Sequence, residues 1–319
     1  MTPVWNGPEL NISNSEMQLF LDDRRIWWLT YYRRLRFKRG HREVTGARPL
    51  GTRVHAALEL AYSDDVNPTA QLKKIYEAEE ADFKSVGVSQ LELDGLWKEF
   101  DLAHAMVSGF VDWVEENGID NGLTVVARED VVQVKSHIPG VFWRGKMDQR
   151  ILREADGARL FRDFKTVGNL TDPIKMLPHD PQMRFYHLLE YMQSIEQTGG
   201  EPQWRTDGAL YLMLRKVKRT AAAKPPFFGQ LEVHHNIHEI RNTYKIAARI
   251  TDEIVELRNA LDAGGDFHYL CPPRPNRDWT WKNDFFPVMS LFDDGSDFEG
   301  MLAEYYEECD PDERYVEVL

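Results

Sequence analysis

TVVAREDVVQVK (124–135), VFWRGKMDQRILRE (141–154) and ARLFRDFKT (158–166) are three β-branched or alternating runs, separated by the turn signals IPG (138–140) and ADG (155–157). Three antiparallel strands are the natural reading. Downstream, Asp180 stands where an N-cap would, with Pro181 at the first helical position, which predicts a helix to about Gln197. After Gly199 and Gly200, GALYLMLRKV (208–217) reads as another strand. A strand, a crossover helix and a strand of the same sheet connect in parallel in nearly all known cases. The predicted class is therefore α/β: a mixed sheet of three antiparallel strands plus one parallel strand after a crossover helix, flanked by helices. LEVHHNIH (231–238) reads as an extra strand, and Glu239 to Leu261 as a long helix.

The first half of the chain is helical in pattern. Ser13 with Glu16 resembles a capping box, and no Pro or Gly follows until after Lys38, which predicts one long amphipathic helix. Its apolar face carries Met17, Phe20, Leu21, Trp27, Trp28 and Tyr31. Further helices are expected over about Ala47 to Tyr62, Thr69 to Phe83 and Gln90 to Glu116. Three regions result: an N-terminal helical segment (1–46), a core (47–220) with a helical insertion at about 68–118, and a C-terminal helical extension with an acidic tail (221–319).

A chain of 319 residues can bury a sizeable core. No window approaches the roughly 20 uninterrupted apolar residues of a membrane span, and MTPVWNGPEL lacks the basic-then-apolar layout of a signal peptide. The expectation is a cytoplasmic protein with no membrane partner. Cys271 and Cys309 are the only cysteines, too few for a disulfide framework. A net charge of -13 argues, taken alone, against a polyphosphate partner. The distribution differs from the total. Arg24, Arg25, Arg33, Arg34, Arg36, Lys38, Arg39 and Arg42 occur in a stretch free of acids, whereas Asp and Glu crowd the tail from Asp293.

The densest chemical signal is FRDFKT, where Asp163 and Lys165 are two apart on a strand and share a face. A carboxylate can bind a divalent metal while an ammonium orients water or stabilises charge on a phosphate, a pairing suited to phosphodiester hydrolysis. A second acid, Asp148, lies on the preceding strand, and the ADG turn falls near the midpoint between Asp148 and Asp163. That centring brings the two acids close across the ladder, where like charges repel and a cation between them is the economical explanation. On spacing alone, each acid simply facing water is the slightly favoured reading. His55, in GTRVHAALE, has Glu59 one helical turn later on the same face, with Gly51, Ala56 and Ala57 small enough to let the helix approach a sheet. Gln182 and Tyr186, four apart, present an amide and a phenol near a helix N-terminus, the end that attracts phosphate.

GTRVHAALE, GKMD, DFKT and QMRFY, in this order and spacing, resemble the signature elements of RecB-like nucleases within the PD-(D/E)XK superfamily. The similarity is close from about Gly51 to Tyr186. In looser form it reaches both ends, where ISNSEMQLFLDDRRIWWLTYYRRL and WTWKNDFFPVMSLFDDGSD are similar to segments of the phage-encoded and CRISPR-associated exonuclease branch. The resemblance implies a restriction-endonuclease-like core and a DNA exonuclease acting in recombination, repair or replication, with a helicase or a single-strand annealing protein as partner. It implies His55, Asp148, Asp163 and the Phe164 carbonyl as ligands of Mg²⁺ or Mn²⁺, with Lys165 as the catalytic lysine. Gln182 and Tyr186 would support the site and contact the DNA strand, whether single or at a duplex end, and Glu59 would stand behind the ligands. Arg24, Arg25, Arg33 and Arg34, with Arg215, Lys216, Lys218 and Arg219, are candidate backbone contacts; a solvated charged face is the competing reading. The branch often holds an iron-sulfur cluster on four cysteines. This chain lacks them, so no cluster is expected, and packing among Trp27, Trp28, Trp279, Trp281, Phe285 and Phe286 is expected to join the two ends instead. A protein that keeps this fold and binds nucleic acid without cleaving it is the alternative; the intact His55, Asp148, Asp163 and Lys165 set argues against it.

Overall fold

The structure, a computed structural model, describes residues 2–64, 66–200, 206–276, 283–311 and 313. The three predicted strands are β3 (Leu123–Lys135), β4 (Val141–Arg153) and β5 (Arg159–Val167). Gly157 adopts φ +70 in the turn that closes the second hairpin, a left-handed conformation open to glycine at little cost. A short helix α6 (Thr171–Met176) and the crossover helix α7 (Pro181–Thr198) follow, the latter capped by the Asp180 carboxylate on the Gln182 amide, and β6 (Gly208–Arg215) then pairs with β5 in parallel as expected. The extra strand β7 (Phe228–Val233) begins earlier than LEVHHNIH and pairs antiparallel with β6.

A strand that the pattern did not announce completes the sheet. β1 (Leu10–Ser13) is four residues long and pairs in parallel with the start of β4, from Leu10↔Val141 to Ser13↔Arg144. β3 runs along one edge of β4. On the other edge, β1 covers the start of β4 and β5 its end, from Gln149↔Arg162 to Leu152↔Arg159. Residues 145–148 lie between these two partners with no ladder on that edge among the described residues.

Helices cover both faces. α3 (Ala47–Asp64), α4 (Pro68–Ser85) and α5 (Gln90–Asn117) agree closely with the sequence reading. They bury Val54, Leu58, Val107 and Phe110 with Phe164, Leu210 and Leu212 of the sheet. The opposite face carries α1 (Asn14–Asp22), α2 (Arg24–Trp27), α7 and α8 (Ile237–Asp262) over Trp143, Phe161 and Tyr211. Gly145 is needed here, because a Cβ would stand 2.7 Å from Leu189 and 2.9 Å from the Tyr186 ring. Its absence lets α7 settle directly on β4.

The predicted long helix from Ser13 to about Lys38 is not formed. Ser13 does cap α1, but Glu16 accepts from the Trp27 indole and from Arg258. Asp23 then breaks the helix: its carboxylate takes the amides of Arg25 and Ile26 as a new N-cap, a competition with the helix that short acidic side chains win readily. A π-helical turn at Trp28–Tyr32 follows, and the chain extends into β2 (Leu35–Phe37), which pairs with β8 (Tyr306–Glu308) of the acidic tail. Leu21, expected on the buried face, is 45% exposed. Trp27, Trp28 and Phe285 are buried, and Phe286 is half-exposed. Trp279 and Trp281 lie outside the described residues.

The join between the ends rests on polar groups as well as rings. Arg25, 1% exposed, donates from Nε to the Cys271 carbonyl at 2.8 Å and lies over the rings of Phe267 and Phe292. Asp23 Oδ2 accepts from the Arg274 amide at 2.7 Å. No helix among the described residues is long and apolar enough to cross a membrane.

Candidate active site

The register Gln149↔Arg162 makes Asp148 and Asp163 the next rung, and there the β4–β5 ladder stops. The sequence centring thus holds, with one addition: the two acids stand where the strands part. Asp148 Oδ2 lies 3.4 Å from the Phe164 amide, which donates to it, and 3.9 Å from His55 Nδ1. Gly51 lets α3 come against β5, with Thr166 Oγ1 3.0 Å from where a Cβ would stand, and the His55 ring meets Phe164 edge-on at 6.3 Å.

Asp163 is buried, whereas Asp148 is one-third exposed. Burial pushes the Asp163 carboxyl well above the usual carboxylate range; Lys165 opposes the rise, and Asp148 adds to it. Lys165 Nζ stands 2.9 Å from Asp163 Oδ2 and donates to Gln182 Oε1 at 3.0 Å. Burial would lower the Lys165 pKa, but attraction by Asp163, Asp180 and Asp148 outweighs it, and the ammonium is retained. Gln182 Nε2 donates to the Tyr186 hydroxyl at 2.8 Å, and that hydroxyl donates to the Lys146 carbonyl at 2.6 Å. The amide-and-phenol pair therefore links Lys165 back to β4. The helix end itself is less open to phosphate than its position suggests, because Asp180 takes the Gln182 amide. Burial lowers the His55 pKa, keeping a neutral imidazole at neutral pH with a lone pair to offer.

Among the described residues, no three His, Cys, Asp or Glu side chains form a ready-made ligand cluster. Some of the donors instead line a cavity of about 20 Å³, bounded by His55, Glu59, Asp148, Gln149 and Phe164 with Asp163 outside that lining, room for one water or one ion. Carboxylate and carbonyl oxygens with a single imidazole suit a hard cation such as Mg²⁺ or Mn²⁺. The residues present fit such an ion. A larger cavity of about 450 Å³, lined in part by Arg39, Arg48 and Asp82, lies along another stripe of α3 and holds none of these groups.

The basic segment lies elsewhere and is engaged with the acidic tail and neighbouring acids. Arg24 pairs with Glu253, Arg33 grips Glu299 through two nitrogens, and Arg36 pairs with Glu307 and Glu313. Arg25 is inside the protein, and Arg34 is exposed with φ +54. Lys218 and Arg219 pair with Asp101 and Asp112 of α5, and Arg215 donates to the Lys224 carbonyl. The Lys216 amide bonds the Val167 carbonyl, two residues beyond Lys165. Gln149 and Arg162 escaped the sequence reading. The available signal was faint, because Arg162 is one of four charged residues in the strand RLFRDFKTV.

A family model described as the PD-(D/E)XK nuclease superfamily matches residues 11–276. No curated protein matches this chain. Among solved structures, a candidate exonuclease from Eubacterium rectale is 12% identical with a TM-score of 0.44, over 79% of this chain and 82% of that one. A structure named SSO0001 is 12% identical with a TM-score of 0.27, over 55% and 69%. Divalent metal ions are general to the matched superfamily. With the family match spanning most of its length, the chain belongs to the PD-(D/E)XK nuclease superfamily.

Proposed function

We propose that the chain is a divalent-metal-dependent exonuclease that hydrolyses DNA phosphodiester bonds in recombination, repair or replication, in a bacterial or phage setting. The observation that supports this most is the parted rung. Asp163 is buried beside Lys165 and opposite Asp148, and Asp148 and His55 line a cavity of one ion's size.

In this reading Asp148, Asp163, His55 and the Phe164 carbonyl hold Mg²⁺ or Mn²⁺, with Glu59 at the edge. Bound there, the ion supplies Lewis-acid polarisation of the phosphate and a more acidic water. Lys165, held by Asp163 and Gln182, keeps its proton and presents it to the attacking water or to charge developing on the phosphate. The Gln182–Tyr186–Lys146 chain fixes that ammonium against β4. His55 stays neutral, so it ligates instead of repelling the cation. Lys216, at the end of the parallel strand, and the exposed Arg34 are the backbone contacts this reading favours. A helicase or an annealing protein would supply the opened strand.

The test is to incubate the protein with end-labelled linear single-stranded DNA, linear duplex and closed circles, with Mg²⁺, Mn²⁺ or chelator. Metal-dependent loss of linear DNA with circles spared is the expected result. Cut circles would make the protein an endonuclease. Intact DNA under every condition, with metal bound, would leave a nucleic-acid-binding role.

A further inference from the structure

Behind the parted rung lies a charge that the chemistry above does not use. Arg162 precedes Asp163 on β5, and its side chain is 1% exposed. A guanidinium is costly to desolvate, and an apolar side chain of similar volume packs such a place as well or better. Its contacts indicate what the charge is for. Nε donates to Gln149 Oε1 at 2.6 Å, Nη1 donates to the Asp120 carboxylate, and the guanidinium lies 5.8 Å from the centre of the Phe164 ring. Gln149 follows Asp148 and lines the ion-sized cavity. Phe164 follows Asp163 and meets the His55 ring.

We infer that Arg162 is the positioning residue of the metal-binding set: it fixes the spacing of Asp148 and Asp163 through Gln149, and seats His55 through the Phe164 ring. The inference rests on the metal-centre reading above. The β4–β5 ladder ends at Gln149↔Arg162, so no backbone pair beyond it sets the width of the Asp148–Asp163 rung. Two carboxylates on that rung push each other apart. The side-chain tie on the last paired rung opposes this, and a planar fork with fixed donors holds a geometry that a flexible ammonium does not. One buried group thereby reaches all three side chains proposed as ligands.

The test is Mn²⁺ affinity by calorimetry on metal-free protein, beside the melting temperature, for wild type, Arg162→Lys, Gln149→Leu and Asp120→Asn. Asp120→Asn weakens the other hydrogen bond of the same guanidinium, at a residue that does not line the ion-sized cavity, and serves as the structural control. Groups that orient metal ligands change affinity by roughly 10–100-fold when removed. Arg162→Lys and Gln149→Leu are expected to weaken Mn²⁺ binding at least about tenfold while remaining folded, with Asp120→Asn within about twofold of wild type. Unchanged affinity in folded Arg162→Lys and Gln149→Leu overturns the inference alone. So does a loss shared by all three variants in proportion to their melting temperatures. A wild type that binds no Mn²⁺ overturns the metal-centre reading and this inference with it.

Discussion

Two of the places where this molecule buries ionised side chains are built differently. At the join of the chain's ends, Asp23 and Arg25 spend their hydrogen bonds on backbone: three amides for Asp23, the Cys271 carbonyl for Arg25. At the parted rung, Asp148 and Glu59 border a space of one ion's size together with His55, and the neighbouring Asp163 has its carboxyl pushed above the ordinary range by burial. Backbone partners dissipate a buried charge; titratable partners around a gap keep it available. The first arrangement ties a fold together, and the second is where chemistry is expected.

Substitutions that exchange these roles would break the comparison. The largest effect is expected for Lys165→Ala. Removing a preorganised charge at a transition state costs on the order of a thousandfold in kcat, measured on protein verified as folded; a variant cutting DNA within about tenfold of wild type would deny the ammonium its role. Asp23→Ala should do the reverse. It uncaps α2, frees the Arg274 amide and removes one of the acidic neighbours of Arg25, beside which Asp293 and Asp266 remain, a loss of about 3 kcal/mol in chemical denaturation, while Mn²⁺ affinity stays as in wild type.

Next in size is a pH effect in neither place. His187, on α7 and buried beside His235 and Phe161, has its pKa lowered to about 3, chiefly by burial and then by His235. The unfolded chain therefore binds a proton below about 6.5 that the native state refuses, so stability falls as pH drops through that value. About 2 kcal/mol should be lost between neutral pH and pH about 5. His187→Leu should flatten that limb of the denaturation profile; an identical profile would locate the acid sensitivity elsewhere. The smallest effect is expected for Tyr186→Phe. It deletes the hydrogen bond to the Lys146 carbonyl, worth about 1 kcal/mol, and should lower kcat by roughly tenfold or less without altering Mn²⁺ affinity.

The hairpins of the core were legible because a period of two, interrupted by IPG and ADG, leaves little choice of element. The same turn placed Asp148 opposite Asp163. Four things were not legible, for different reasons. An uninterrupted stretch without Pro or Gly suggested one helix, yet Asp23 competes for the backbone as a cap, which composition does not weigh. β1, β2 and β8 are three or four residues long, too short for any periodicity to register. The basic segment read as open to phosphate because most of its acidic partners are more than 200 residues away in the chain, as with Arg33 and Glu299. Arg162 was hidden by its neighbours: in FRDFKT, attention falls on the acid and the lysine, while the buried guanidinium shows its meaning only once Gln149 and Phe164 stand beside it.

The central claim is that the rung where β4 and β5 part is a metal-dependent nuclease centre. Side-by-side digestion of end-labelled linear DNA by wild type and Asp163→Ala in Mg²⁺, both verified as folded, tests it most directly. The account predicts degradation by wild type, none by the variant, and none by either in chelator. Equal cleavage by the two proteins would contradict it.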